Sequence, residues 1–252
     1  MSVTSQREVT ARLARLTAGR IRAGEQLVAA TRTAGAGAVL LIGSLAARGG
    51  DAFSDLNLLI VAGPGYRGID VMGLFGAQGL AQVTAQLAAA PHGGTTTSVC
   101  LDVADAVLWL DLVQLPAATA AVPADSLIVY ANLELPYSPL PYRRLLDHHG
   151  RPATPIRPPA AATELRRIAD AAKHLARGNQ RSISAEIPET IGLQLGQIRP
   201  LLHQRLAAID QPELVRAIAS TAALIDLADL ARTSMLTRTT RTTTTRDRKS
   251  DT

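Results

Sequence analysis

The chain of 252 residues is 47% apolar, 19% charged and only 3% aromatic, enough for one or two domains with an aliphatic, helix-rich core. No uninterrupted apolar run approaches the roughly 20 residues that cross a bilayer, and the N-terminus, with Arg7, Glu8, Arg12 and Arg15, has no apolar stretch of the signal-peptide kind. A single cysteine, Cys100, excludes an internal disulfide, and the net charge of +5 owes +3 to Thr237–Thr252, where five basic residues face two acidic ones; a cytoplasmic protein is expected.

Ser5 to Thr33 places Val9, Leu13, Leu16, Ile21, Leu27 and Val28 on one apolar stripe among charged residues. The spacing predicts one long helix, or two with a break near Gly19. Gly35 and Gly37 end it. Ala38 to Ile42 is a short continuous apolar run, the pattern of a strand covered on both faces. Gly43 and Ser44 close it, with a short helical turn over 45–48. Asp55 to Val61 is the next strand, and alternation puts Asp55 and Asn57 on one face with Leu59 and Val61, and Leu56, Leu58 and Ile60 on the other. Ile69 to Ala90 is spaced as a helix through Val71, Leu74, Phe75, Leu80, Val83 and Leu87. Thr97–Val103 and Val107–Leu115 read as strands, and Leu127–Tyr130 as a further short one. The Val107–Leu115 run is apolar but for Asp111 and Gln114, and a carboxylate inside such a run is costly unless paired or metal-bound.

Prolines 136, 139, 141, 152, 155, 158 and 159 mark a transition. It separates a domain over 1–150 from a helical one over 160–236. The expected helices of the second run from Thr163 to Arg177, from Ser184 to Ile209 with Pro188 in the first turn and Pro200 kinking or splitting it, and from Pro212 to Leu236. Thr237–Thr252 is threonine-rich and basic, and is expected to be a disordered, solvated tail. A polyanion contact through it is the lesser reading, so nucleic acid is not an expected partner.

The chemistry concentrates on 39–62. Gly43 lets its backbone approach a phosphate, Ser44 adds a hydroxyl and an N–H, and Arg48 lies near enough to supply a cation. Asp55 is a hard oxygen ligand suited to Mg²⁺, with Asp111 able to converge from a neighbouring strand. Gly43-Ser44-Leu45-Ala46-Ala47-Arg48-Gly49, followed by Asp51, Ser54, Asp55, Leu56 and Asn57, resembles the signature of the polymerase-β nucleotidyltransferase superfamily. The small-molecule branch, with its aminoglycoside nucleotidyltransferases and minimal nucleotidyltransferase domains, is the nearest likeness. The likeness covers residues 36–115 and, more loosely, the helices beyond. It implies an α/β (α+β) nucleotidyltransferase fold: a mixed sheet with flanking helices plus a C-terminal helical bundle. It also implies a nucleoside triphosphate (ATP foremost) with Mg²⁺ as cofactor, and transfer of a nucleoside monophosphate to a hydroxyl of a small-molecule acceptor.

On that likeness Asp55 and Asp111 are the catalytic carboxylates, Asp55, Asn57 and Asp111 the metal positions, and Gly43, Ser44 and Arg48 the nucleotide contacts. Asn57 departs from the pattern, which has a second acidic residue there. An amide oxygen can ligate Mg²⁺ but brings no charge. The alternative is therefore a catalytically impaired nucleotide-binding or partner-regulating module, and a further one is rescue by another carboxylate such as Asp51. Asp102 is a second candidate for the third carboxylate. Glu186 and Glu189 could supply a general base, though complementing a helix dipole is the plainer role. His148-His149 reads as a solvated loop rather than a metal pair, Cys100 as a small buried hydrophobe, and Trp109 as core.

Overall fold

The computed structural model describes the backbone of residues 3–86, 94–148 and 160–247, and the side chains of 6–82, 94–145 and 160–234. It is a mixed α/β molecule with a helical C-terminal region. Helix α1 (Val3–Thr33) leads into strands β1 (Ala36–Ile42) and β2 (Leu56–Ala62). A short helix α2 (Val71–Phe75) and a 3₁₀ turn (Gly76–Gln78) precede strands β3 (Gly79–Gln86), β4 (Thr95–Val103), β5 (Ala106–Pro116) and β6 (Leu127–Ala131). Helices α3 (Tyr142–His148), α4 (Ala160–Ala176), α5 (Gln180–Glu186), α6 (Leu195–Ala207) and α7 (Val215–Asp247) follow. Among the described residues no helix is long and apolar enough to cross a membrane.

The strands form one sheet in the order β3-β4-β5-β2-β1-β6. The β2–β5 pair is parallel and the others antiparallel. Both central strands are apolar on both faces because both faces are covered. Helix α1 lies against Leu56, whose Cδ2 would stand 3.2 Å from a Cβ at Gly24. The opposite face carries Trp109 and Asp111, and there Arg166 of α4 stacks on the Trp109 ring, 4.8 Å from its centroid. Buried side chains of α1, the sheet, α4, α6 and α7 make one continuous core. A smaller cluster around Leu40, Leu59, Val61, Val113 and Leu115 fills the other end of the site face.

Helix α1 is one long helix, the first of the two expected forms, and runs unbroken through Gly19, where the missing side chain admits Val103: a Cβ there would overlap its Cγ1. Three other expectations need correction. Ile69–Ala90 is not one helix. Asp70 caps only a single turn, accepting a hydrogen bond from the Gly73 N–H at 2.9 Å, and Gly76, at φ 49°, ends it. The chain then pairs antiparallel with β4 as an edge strand, so strand pairing overrides the helical spacing; residues 87–90 lie outside the described residues. Ser184–Ile209 is not one helix either. Asn179 caps α5 through the Ser182 N–H at 3.1 Å, and Pro188 opens a separate 3₁₀ turn. Pro200 then sits within α6 rather than splitting it. Finally, the α7 backbone continues as helix through Asp247, into the stretch expected to be an unstructured tail; residues 248–252, like 149–159 with the expected domain boundary, lie outside the described residues.

Candidate functional site

Gly43 leaves β1 at φ 75°, a conformation that favours glycine. A Cβ there would stand 2.8 Å from Asn57 Nδ2, so the turn closes directly over the asparagine. The Ala47 N–H bonds the Gly43 carbonyl at 3.1 Å and the Gly49 N–H the Ser44 carbonyl at 3.0 Å, a tight turn rather than a helix. The polar loop after it is pinned from α1: Arg20, 8% exposed, donates Nη1–H to the carbonyls of Asp51 at 2.7 Å and Ser54 at 2.8 Å. Asp51 accepts from the Phe53 N–H at 2.9 Å. The Arg177 fork closes on the same carboxylate, Nε and Nη2 both at 2.8 Å, and these contacts hold Asp51 below its ordinary pKa despite burial.

Register places the rest. Ile42 pairs with Asn57, Asn57 with Asp111, and Asp111 with Ser98, one row across four strands. Asp55 immediately precedes β2, two residues from Asn57 and on its face. Above this row the carboxylates of Asp55 and Asp111 converge, as the metal reading requires, but on a protein cation. Arg166 Nη2 reaches Asp55 Oδ2 at 3.0 Å and Asp111 Oδ2 at 3.1 Å, while Nη1 reaches Asp111 Oδ1 at 3.2 Å and Nε reaches Asp170 Oδ2 at 2.9 Å. Lys173 Nζ bridges Asp55 Oδ1 at 2.6 Å and Asp170 Oδ1 at 2.7 Å. The Ser98 hydroxyl adds a bond to Asp111 Oδ1 at 2.7 Å.

The network decides the electrostatics. Burial pushes the Asp55 carboxyl up, and Lys173 and Arg166 oppose it. Asp170 is held below its ordinary value, because the same two cations outweigh its burial. Arg166 is raised, its three carboxylates outweighing the loss of water. His174, on the same helix, is lowered by burial and then by the Arg177 charge. Glu186 is raised by burial, then by Asp170.

A cavity of about 290 Å³ opens over this network, lined by Ser44, Asp55, Asn57 and Asp111 from the sheet side and by Arg166, Asp170, Lys173, His174, Arg177 and Glu186 from the helices, with Arg143 at α3. Thus Ser44, Asp55, Asn57 and Asp111 are brought together as expected, and Gly43 stands behind Asn57. Arg48 does not join them: it is exposed, at φ 57°, and away from the cavity lining. Asp102 pairs with Val107 in register and lies outside the lining, so Asp111 is the convergent carboxylate. Glu186 lines the cavity, whereas Glu189 is exposed and ion-paired with Arg205. Cys100 is fully buried, its thiol pushed up to about 12, and Trp109 is core. His148 ends α3 and His149 lies outside the described residues.

Arg166, Asp170, Lys173 and Arg177 were the residues missed from the sequence. Their spacing of four, three and four is a helical stripe, running beside the apolar stripe of Leu165, Ile168, Ala172 and Leu175. A charged stripe bordering a buried one is the signal that could have found them.

The donor set suits a hard divalent ion in kind: three carboxylates and the Asn57 amide oxygen. As arranged it does not fit one. All six oxygens of Asp55, Asp111 and Asp170 already accept from Arg166 or Lys173. The remaining donor, Asn57 Oδ1, is buried without a partner. Among the described residues no group of three or more His, Cys, Asp or Glu is set to hold a metal. Comparison with protein-family models and with curated proteins returned no match, so the reading of the site rests on its residues and their geometry.

Proposed function

We propose that the cavity binds the polyphosphate of a nucleoside triphosphate and that the chain is a nucleotide-binding module of nucleotidyltransferase layout in which transfer is impaired. The observation that carries this reading is the occupation of all six carboxylate oxygens by Arg166 and Lys173, beside an asparagine where a further carboxylate would be needed. Two changes then point the same way: one ligand charge is lost, and protein cations fill the space between the others. The phosphates would meet Ser44 at the turn and the basic groups of Arg143, Arg166, Lys173 and Arg177, which line the cavity. Guanidinium forks match phosphate oxygens two at a time, and Lys173 offers a point charge. Four acidic side chains line the same space (Asp55, Asp111, Asp170 and Glu186), so the cavity is balanced in charge and binding a polyanion requires the cations to exchange partners.

A second reading, a Mg²⁺-dependent nucleotidyltransferase acting on a hydroxyl of a small molecule, is favoured by one feature. Glu186 lines the cavity with its pKa raised by burial, which suits a general base. That reading requires Arg166 and Lys173 to leave Asp55 and Asp111. Calorimetric titration with ATP and GTP in EDTA separates the two, alongside a pyrophosphate-release assay at high Mg²⁺ over a panel of hydroxylated acceptors. Nucleotide binding that persists in EDTA without pyrophosphate release is the expected result. Release that depends on Mg²⁺ and is abolished by Asp55→Asn establishes the transferase instead.

A further inference from the structure

We infer that Arg166 is a built-in replacement for a divalent cation, so that the site excludes metal as the protein stands and holds a latent metal site that opens when the guanidinium is removed. The inference deepens the nucleotide-binding reading of this cavity and rests on it for its meaning, but its test contains no nucleotide.

The guanidinium is positioned as a bound ion would be. It contacts Asp55, Asp111 and Asp170, one carboxylate from each of three chain segments, with four of their six oxygens between 2.9 and 3.2 Å from its nitrogens. It is held there independently of the carboxylates, stacked on the Trp109 face at 4.8 Å. Trp109 and Asp111 are two residues apart on β5 and share a face, so the strand that supplies a ligand also supplies the platform. Lys173, 6% exposed, takes the two oxygens that Arg166 leaves. Three carboxylates against two cations leave the cluster one charge short of neutral. A divalent ion added beside both cations would turn a net −1 into +1 in a part-buried space, and would find no unengaged carboxylate oxygen. Asn57 belongs to the same arrangement. Its register partner is Asp111, and with a guanidinium already above the row a fourth carboxylate has less to neutralise. The amide oxygen is buried without a hydrogen-bond partner.

Removing the guanidinium reverses the balance. Arg166→Met keeps the aliphatic stem against Trp109, frees one oxygen each of Asp55, Asp111 and Asp170, leaves Asp111 Oδ1 only its bond from the Ser98 hydroxyl, and leaves three carboxylates and Asn57 Oδ1 facing a single lysine. That is a hard-oxygen set of the kind Mg²⁺ and Mn²⁺ take. The test titrates Mn²⁺ into the intact protein and follows free Mn²⁺ by electron paramagnetic resonance, with thermal unfolding read in parallel. Wild type is expected to bind no Mn²⁺ that Asp55→Asn removes. Arg166→Met is expected to bind one Mn²⁺, about tenfold or more above the wild-type signal, with a Tm that climbs with Mn²⁺ concentration. A wild-type site for Mn²⁺ that Asp55→Asn abolishes overturns the inference, as does a folded Arg166→Met that takes up no Mn²⁺. If Arg166→Met fails to fold, Arg166→Leu is titrated in its place: one Mn²⁺ bound upholds the replacement, and a folded variant that takes up none refutes it, as does an Asp55-dependent site in the wild type. A failure of nucleotide binding leaves each of these readings unchanged.

Discussion

Lys173 carries its ammonium between Asp55 and Asp170 at 2.6 and 2.7 Å, with 6% of its side chain exposed. Breaking a buried pair by removing one partner leaves an uncompensated charge, at a cost of roughly 3–5 kcal/mol. Lys173→Met is therefore expected to lower the unfolding free energy measured by urea titration by that amount, and Lys173→Arg by much less, since a cation remains. Gly43 makes a separate demand. Its φ of 75° and the 2.8 Å approach to Asn57 Nδ2 both penalise a side chain, so Gly43→Ala is expected to cost roughly 1–3 kcal/mol. Asn57→Ala should recover the steric part of that loss in the double variant and leave the backbone part, which a double-mutant cycle measures.

At the scale of elements, β1, β2 and β5 were legible because a strand buried on both faces leaves a plain mark, a short apolar run with its polar residues at one end. The site residues on them were legible for the same reason: Asp55 and Asn57 stand at the start of such a run, and Asp111 interrupts another. Helix α1 was legible from its stripe, as one long helix or two, but the close approach at Gly19 was not, because it depends on Val103, eighty-four residues further along the chain. Gly19→Ala should therefore behave against propensity. Alanine favours a helix interior over glycine by about 1 kcal/mol, yet the new methyl overlaps Val103 and overpacking costs roughly 1–3 kcal/mol. A net loss in thermal stability is expected, relieved when Val103→Ala is added. The strand β3 was hidden for a related reason: apolar residues at 71, 74, 75, 80 and 83 satisfy a helical period, and only pairing with β4 selects a strand. Arg166 and Lys173 escaped because a charged stripe on a helix is ordinarily solvent-facing, and nothing local says that α4 lies with that stripe toward Asp111.

For the whole molecule, the helices and the sheet share one continuous core and are joined by the Asp55–Lys173–Asp170–Arg166–Asp111 network. His174 lies on α4 within this junction and lines the cavity, with Nδ1 buried and unpartnered. Its pKa is lowered, first by burial and then by the charge of Arg177. The unfolded chain, with histidine near 6.5, thus binds a proton at a pH where the folded protein does not. Stability therefore rises with pH through this window. The contribution of neutral His174 is fully present above about 6.5 and is lost as the pH falls through its lower folded value. Urea unfolding measured from neutral pH downward should show a decline beginning below that point, and His174→Gln, which cannot take up the proton, should flatten it. A decline of the same size in His174→Gln would place the proton elsewhere. Because the junction couples sheet and helices, the decline is expected as a shift of one shared transition, with near-ultraviolet signal from Trp109 and far-ultraviolet helical signal moving together.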